Sequence, residues 1–213
     1  MRQRRDKRGN CAKRIFSGPA GRTIGAADLP AACVPARIVI YNGLRGVKLA
    51  RTSVPTSSDL QRLMYVLYCD SEIDALVVDV MINSGLRVSD ALSLPAEAAY
   101  KPVFVREHKT GVVRAIDLPE RLQGRLRAFL AGRREGVLFR GSRGAAHRSR
   151  ATVWRHLVAA WEAAGLTGRA PTPHSMRRLY ARRLMAAGLT ADEIRSILHH
   201  QHLSTTLLYL YAD

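Results

Sequence analysis

Leu60, Leu63, Met64 and Leu67 recur at the i, i+3, i+4, i+7 spacing of one helical face, with polar residues filling most of the positions between them. The stretch "TSSDLQRLMYVLYC" therefore predicts an amphipathic helix, N-capped by Ser57 or Ser58. The next segment, "SEIDALVVDVMINSG", is nearly continuously apolar at its centre, which predicts a helix buried on most sides and stopped by Gly85. A short helix from Val88 to Leu94 follows. In "KPVFVREHKTGVVRAIDLP" the period changes, and Val103, Val105, Val112 and Val113 predict two strands around a turn at Lys109, Thr110 and Gly111. Helical patterns return near 119–131, 149–164, 174–187, 190–198 and 204–211, with Gly188 ending one helix and Thr190 capping the next. The fold class expected is mainly α with a small antiparallel β-sheet (α+β).

Residues 1–56 show no such period. They hold 12 Lys/Arg against 2 acidic residues, with scattered Gly and Pro. The expected organisation is a basic arm over 1–56, partly disordered or with a short hairpin in "ARIVIYNGLRGVKLA", followed by a folded catalytic domain over 57–213. The whole chain carries a formal net charge of +17, an excess that calls for a polyanionic partner, nucleic acid first. Arg2, Arg4, Arg5, Lys7 and Arg8 in the arm, with Arg178 in the domain, are the expected DNA contacts. No apolar run reaches the ~18 residues of a membrane span, and the N-terminus leads into no signal-like apolar region. A cytoplasmic, nucleoid-associated protein is expected, with no membrane partner. Cys11, Cys33 and Cys69 are too scattered for a disulfide framework or a zinc site, and read as free thiols.

Five places carry candidate chemistry, and each has a plain structural reading beside it. Arg87 in "SGLRVSDALSL" follows a helix stop with Asp90 three residues on, where a carboxylate can hold the guanidinium; most such arginines are surface charges. Lys109 stands at a hairpin tip, where lysine is ordinarily a solvated charge. His174 and Arg177 are neighbours on one helical face, while Met176, Leu179, Tyr180 and Leu184 form a packing stripe on the other. His199, His200 and His202 are crowded, but two are consecutive and no carboxylate lies close in the pattern, so no metal site is expected. Tyr209, taken alone, is a core aromatic.

In order along the chain, these places resemble the catalytic domain of the tyrosine recombinases, the phage-integrase family of DNA strand-exchange enzymes. "SGLRVSDALSL" is similar to the first arginine box, with Asp90 at the supporting acidic position. "EHKTGVVRAIDLP" is similar to the β-hairpin lysine segment, and "PHSMRRLYARRLMAAGLTADEIRSILHHQHLSTTLLY" to the long terminal motif. The resemblance implies that Arg87, Lys109, His174, Arg177, His200 and Tyr209 are catalytic. It implies a site-specific recombinase or integrase that cleaves and rejoins double-stranded DNA through a 3′-phosphotyrosyl intermediate, without metal or cofactor, and self-associates on DNA as a dimer to tetramer. The alternatives are a DNA-binding regulator with a decayed site and a type IB topoisomerase-like relaxing enzyme. Where the family carries Gly before the third-box histidine, this chain has His199, which requires a strained backbone or a different local path.

This residue set suits metal-free phosphodiester chemistry. A phenol with a pKa of about 10 is a poor nucleophile at neutral pH and needs both a proton acceptor and an electrophilic phosphate. In the roles the resemblance implies, the two arginines stabilise the charge of the pentacoordinate transition state. The histidines donate hydrogen bonds to it, one of them helping to remove the phenol proton, and Lys109 protonates the leaving 5′-hydroxyl.

Overall fold

The computed structural model describes residues 54–141 and 146–211. Arg2, Arg4, Arg5, Lys7, Arg8 and the hairpin expected within 1–56 lie outside the described residues. Helices α1 (Ser57–Asp70), α2 (Glu72–Ser84) and α3 (Val88–Leu92) open the domain, and a single 3₁₀ turn, Ala96–Ala99, leads to strands β1 (Val103–Arg106) and β2 (Val113–Ile116). Helices α4 (Glu120–Leu130), α5 (Arg150–Ala163), α6 (Pro173–Ala186), α7 (Ala191–Leu198) and α8 (Leu203–Tyr211) complete it. The expected class, mostly helical with one small antiparallel sheet, is what the described residues adopt.

Local chemistry accounts for the boundaries. Thr56, rather than Ser57 or Ser58, caps α1, its hydroxyl accepting from the Asp59 amide at 3.2 Å. Leu60, Leu63 and Leu67 then face inward as the spacing requires. α3 stops at Leu92, two residues earlier than expected, because Pro95 lies just beyond and biases the residue before it out of the helical region. In the hairpin Val103 pairs with Ile116 and Arg106 with Val113. Val103, Val105 and Ile116 point inward, while Phe104 points out. Gly85 closes α2 in the left-handed region at φ +65°, and a Cβ there would lie 2.3 Å from the Tyr180 ring, so glycine is required twice over.

The apolar residues form two clusters. The larger gathers α1 to α5 and the sheet, and takes Met176 from the start of α6. The smaller holds Ala181, Ile194, Leu198, Tyr209 and Leu210, from α6, α7 and α8. α6 therefore belongs to both. Arg87 and the Lys109 hairpin are set by the first core, Tyr209 is set by the second, and the first turns of α6 stand between them.

Candidate active site

Arg87 occupies the N-cap position of α3, directly after the Gly85 turn, with about a fifth of its side chain (21%) exposed. The expected partner, Asp90, does not hold it. The Arg87 guanidinium instead donates to Glu107, which is fully buried just after β1. The same carboxylate accepts from the Thr110 hydroxyl at 2.9 Å and lies 3.8 Å from Arg114 and 4.0 Å from Arg177. Burial pushes the Glu107 carboxyl up, but hydrogen bonds from Arg87 and Thr110 and the charges of Arg87 and Arg177 hold it below its ordinary value. Asp90, also buried, accepts from the His108 amide at 3.0 Å and from the His108 ring at 2.8 Å. The two carboxylates have thus exchanged tasks relative to expectation: the hairpin's acid takes the arginine, and the acid of α3 fastens the hairpin turn. Lys109, next to His108, is exposed at that turn.

α6 begins with a capping box in which Thr172 and Ser175 satisfy each other's backbone amides, and Pro173 starts the first turn. That start places His174 and Arg177 one turn apart. Arg177 is 1% exposed, and its guanidinium donates to the carbonyls of Gly85, at 2.6 Å, and Leu198. Both carbonyls sit at helix C-termini, those of α2 and α7, where the backbone dipoles favour a cation. Burial first, and repulsion by Arg87 second, lower the Arg177 pKa to about 10, so it stays protonated at neutral pH. Arg178, expected to meet DNA, is buried instead, and its Nε donates to the Tyr209 carbonyl at 3.5 Å. It ties α6 to α8.

A second capping box, Thr190 with Glu193, starts α7. The helix ends at His199, which takes the left-handed conformation, φ 50° and ψ 45°. Of the two alternatives for the family's glycine position, the backbone is therefore kept and the histidine bears the strain. Because the left-handed region costs an L-residue about 1–2 kcal/mol, partly offset by the greater freedom of glycine when unfolded, His199→Gly is expected to stabilise the domain by about 1 kcal/mol. A urea midpoint equal to or below that of the parent chain would show no strain at this residue.

The turn at His199 delivers His200 into the site, where its Nδ1 shares a 2.9 Å hydrogen bond with the Thr206 hydroxyl. The Tyr209 hydroxyl lies 2.6 Å from His174 Nε2. Both histidine rings meet the Tyr209 ring edge-on, with centroids 4.9 Å away for His174 and 4.7 Å for His200. Burial raises the Tyr209 pKa, against the opposing charges of Arg177 and Arg87. Both histidines are lowered to about 4, by desolvation first and then by the guanidinium of Arg177. His174 is nonetheless an exposed residue, which tempers the desolvation, whereas the repulsion by Arg177, Arg178, Arg87 and Lys109 persists. The imidazoles are neutral at neutral pH, so His174 can accept a proton from the phenol.

A pH dependence of stability follows. Unfolded histidine binds its proton at about 6.5 and these two bind theirs at about 4, so acidification favours the unfolded chain. Their contribution is complete above pH 6.5 and is lost as the pH falls toward 4. Urea midpoints are expected to drop across that window, and His200→Gln to flatten the drop. A midpoint independent of pH between 6.5 and 4 would contradict the neutral assignment.

The structure thus gathers Arg87, His174, Arg177, His200 and Tyr209 at one place, with the Lys109 charge close enough to act on His174. Glu107 and Arg114 are the members that the sequence reading missed. Their signal was present in the strand alternation, since Val103, Val105 and Glu107 share one phase and Arg114 and Ile116 share the facing one. A charged pair in an inward phase marks a buried ionic site.

Residues 54–213 match the phage integrase family. The chain belongs to that family. Among curated relatives it is similar to tyrosine recombinase XerA of Pyrococcus furiosus, with 31% identity over 175 residues that cover 78% of this chain and 60% of the relative. Tyrosine recombinase XerA of Thermococcus kodakarensis is 29% identical over 161 residues, 72% of this chain and 56% of that one. This member of the family thus spans 56–60% of the length of these two relatives. Its fold is shared with a crystal structure of XerA recombinase, at a TM-score of 0.63 and 20% identity, covering 76% of this chain and 61% of that one. It is shared equally with a lambda integrase tetramer bound to a Holliday junction, at a TM-score of 0.62 and 20% identity, covering 77% and 49%. Among the described residues no helix is long and apolar enough to cross a membrane.

Proposed function

We propose that the protein is a site-specific DNA recombinase or integrase that cleaves and rejoins DNA through Tyr209. The observation that carries this reading is the Tyr209 hydroxyl 2.6 Å from a neutral His174, beside two arginines. In the cleavage step the Tyr209 oxygen bonds to phosphorus as the phenol proton passes to His174 Nε2. The bond from phosphorus to O5′ breaks, and Lys109 gives a proton to the departing oxygen. Arg87 and Arg177 neutralise the charge on the non-bridging oxygens, with His200 as a further donor. The energy of the phosphodiester is kept in the 3′-phosphotyrosyl bond, and attack by a 5′-hydroxyl reverses the step. Arg177 is 1% exposed and its charge acts on the buried Tyr209 phenol, so a docking phosphate requires Tyr209 to move aside from the guanidinium.

In this reading the domain over 57–213 does the chemistry and the basic arm over 1–56 grips phosphate through Arg2, Arg4, Arg5, Lys7 and Arg8. The curated relatives are recombinases, and lambda integrase, which shares the fold, is seen as a dimer on a core site and a tetramer on a Holliday junction, which supports self-association of this chain on its site. It works on the nucleoid in the cytoplasm. Deleting residues 1–50 is expected to weaken binding to all sequences alike, and to flatten the salt dependence of log K by roughly 0.9 for each phosphate that the arm no longer neutralises. An unchanged slope would remove the arm from the DNA. The test of the function itself is incubation with nicked suicide duplexes drawn from plasmid, phage and transposon ends, where a covalent protein–DNA adduct is the expected product. Sequence-specific binding with no adduct on any substrate would make the protein a regulator.

A further inference from the structure

Glu107 is a buried carboxylate shared by the arginines of the site, and no part of the cleavage step uses it. Its side chain is fully buried, so it cannot touch DNA. One oxygen, Oε2, accepts from Arg87 and Thr110; the other, Oε1, faces Arg177 at 4.0 Å and Arg114 at 3.8 Å and has no hydrogen-bond partner among the described residues. Arg87, Arg114 and Arg177 repel one another, since the charge of Arg87 lowers the pKa of both of the others. Arg114 is further anchored to the Ser84 carbonyl and Arg177 to that of Gly85, so both lean on the end of α2. Among the described residues Arg87 has as its charge partner Glu107 alone, which holds it from the protein side while about a fifth of its side chain (21%) stays open to solvent.

We infer that Glu107 is a positioning residue for the phosphate-binding arginines, acting through Arg87 and Arg177 rather than on DNA. This rests on the proposed cleavage reaction and deepens it. The carboxylate compensates three crowded cations before DNA arrives, and aims Arg87 outward with its remaining N–H groups turned toward the non-bridging oxygens. When the phosphate docks, no rotamer search by Arg87 is needed. Losing the carboxylate removes that alignment without removing any group that touches DNA.

A positioning role and a merely structural one separate on a change of substrate. A methylphosphonate at the scissile position lacks one anionic oxygen, so its transition state depends less on aligned arginines. Single-turnover cleavage of nicked suicide DNA by Glu107→Gln is expected to be about 10- to 100-fold slower than wild type on the phosphodiester, the effect of losing a charged hydrogen bond. On the methylphosphonate the defect is expected to shrink to within about threefold, with DNA affinity unchanged on both. Glu107→Asp, which keeps the charge one carbon short, should show a smaller version of the same pattern and serves if the Gln variant does not fold. Wild-type cleavage by Glu107→Gln, or an equal defect of the folded variant on both substrates, would overturn the inference. Arg87→Ala separates the two levels. If it is relieved by the methylphosphonate and the Glu107 variants are not, only the positioning role fails. If Arg87→Ala is not relieved either, the role of Arg87 in the reaction falls, and the inference with it.

Discussion

Tyr209→Phe is expected to fold and bind DNA as the parent chain does and to form no covalent adduct, a loss of more than about a thousandfold in cleavage. The substitution removes one oxygen and almost no volume from the smaller core, where the ring packs with Ala181, Ile194, Leu198 and Leu210. The folding cost is one hydrogen bond to His174, about 1 kcal/mol. Tyr211 offers no substitute. It is two residues further along α8, about 200° around the helix, and it is exposed where Tyr209 is buried. Tyr211→Phe is therefore expected to retain the adduct, and covalent capture measured by denaturing gel on a suicide substrate distinguishes the pair.

Arg87→Lys is expected to lose about 100- to 1,000-fold in single-turnover cleavage with DNA binding nearly intact. An ammonium can satisfy Glu107 or reach a phosphate oxygen, but it lacks the planar fork that does both at once. Affinity is spread over many phosphates across a strongly basic chain, so the removal of one cationic fork shows mainly in rate. A lysine variant that cleaves normally would remove Arg87 from the reaction.

Much of this was legible in the chain because local signals and tertiary demand agree. The leucine spacing of α1, the apolar run of α2, Gly85, Gly188 and the Thr190 cap all mark elements that form where the pattern puts them. The i, i+3 relation of His174 and Arg177 is a property of any helix and survives whatever packs around it. The errors arise where packing between distant segments decides. Asp90 is three residues from Arg87, which suggests a local pair, but the hairpin folds against the end of α2 and brings Glu107 there from twenty residues away. Arg178 looks like one more DNA-seeking cation, yet its position on α6 turns it toward α8, where the Tyr209 carbonyl receives it. His199 shows the converse. A side chain ill suited to the left-handed region adopts it because both flanking helices are held by the smaller core.

Whether a single phenol is the nucleophile is decided by mass spectrometry of the trapped protein–DNA adduct. After nuclease digestion and proteolysis, a nucleotide remnant is expected on Tyr209 and on no other residue. A remnant on Tyr211, or on any serine, or an undiminished adduct from Tyr209→Phe, would rule Tyr209 out as the nucleophile.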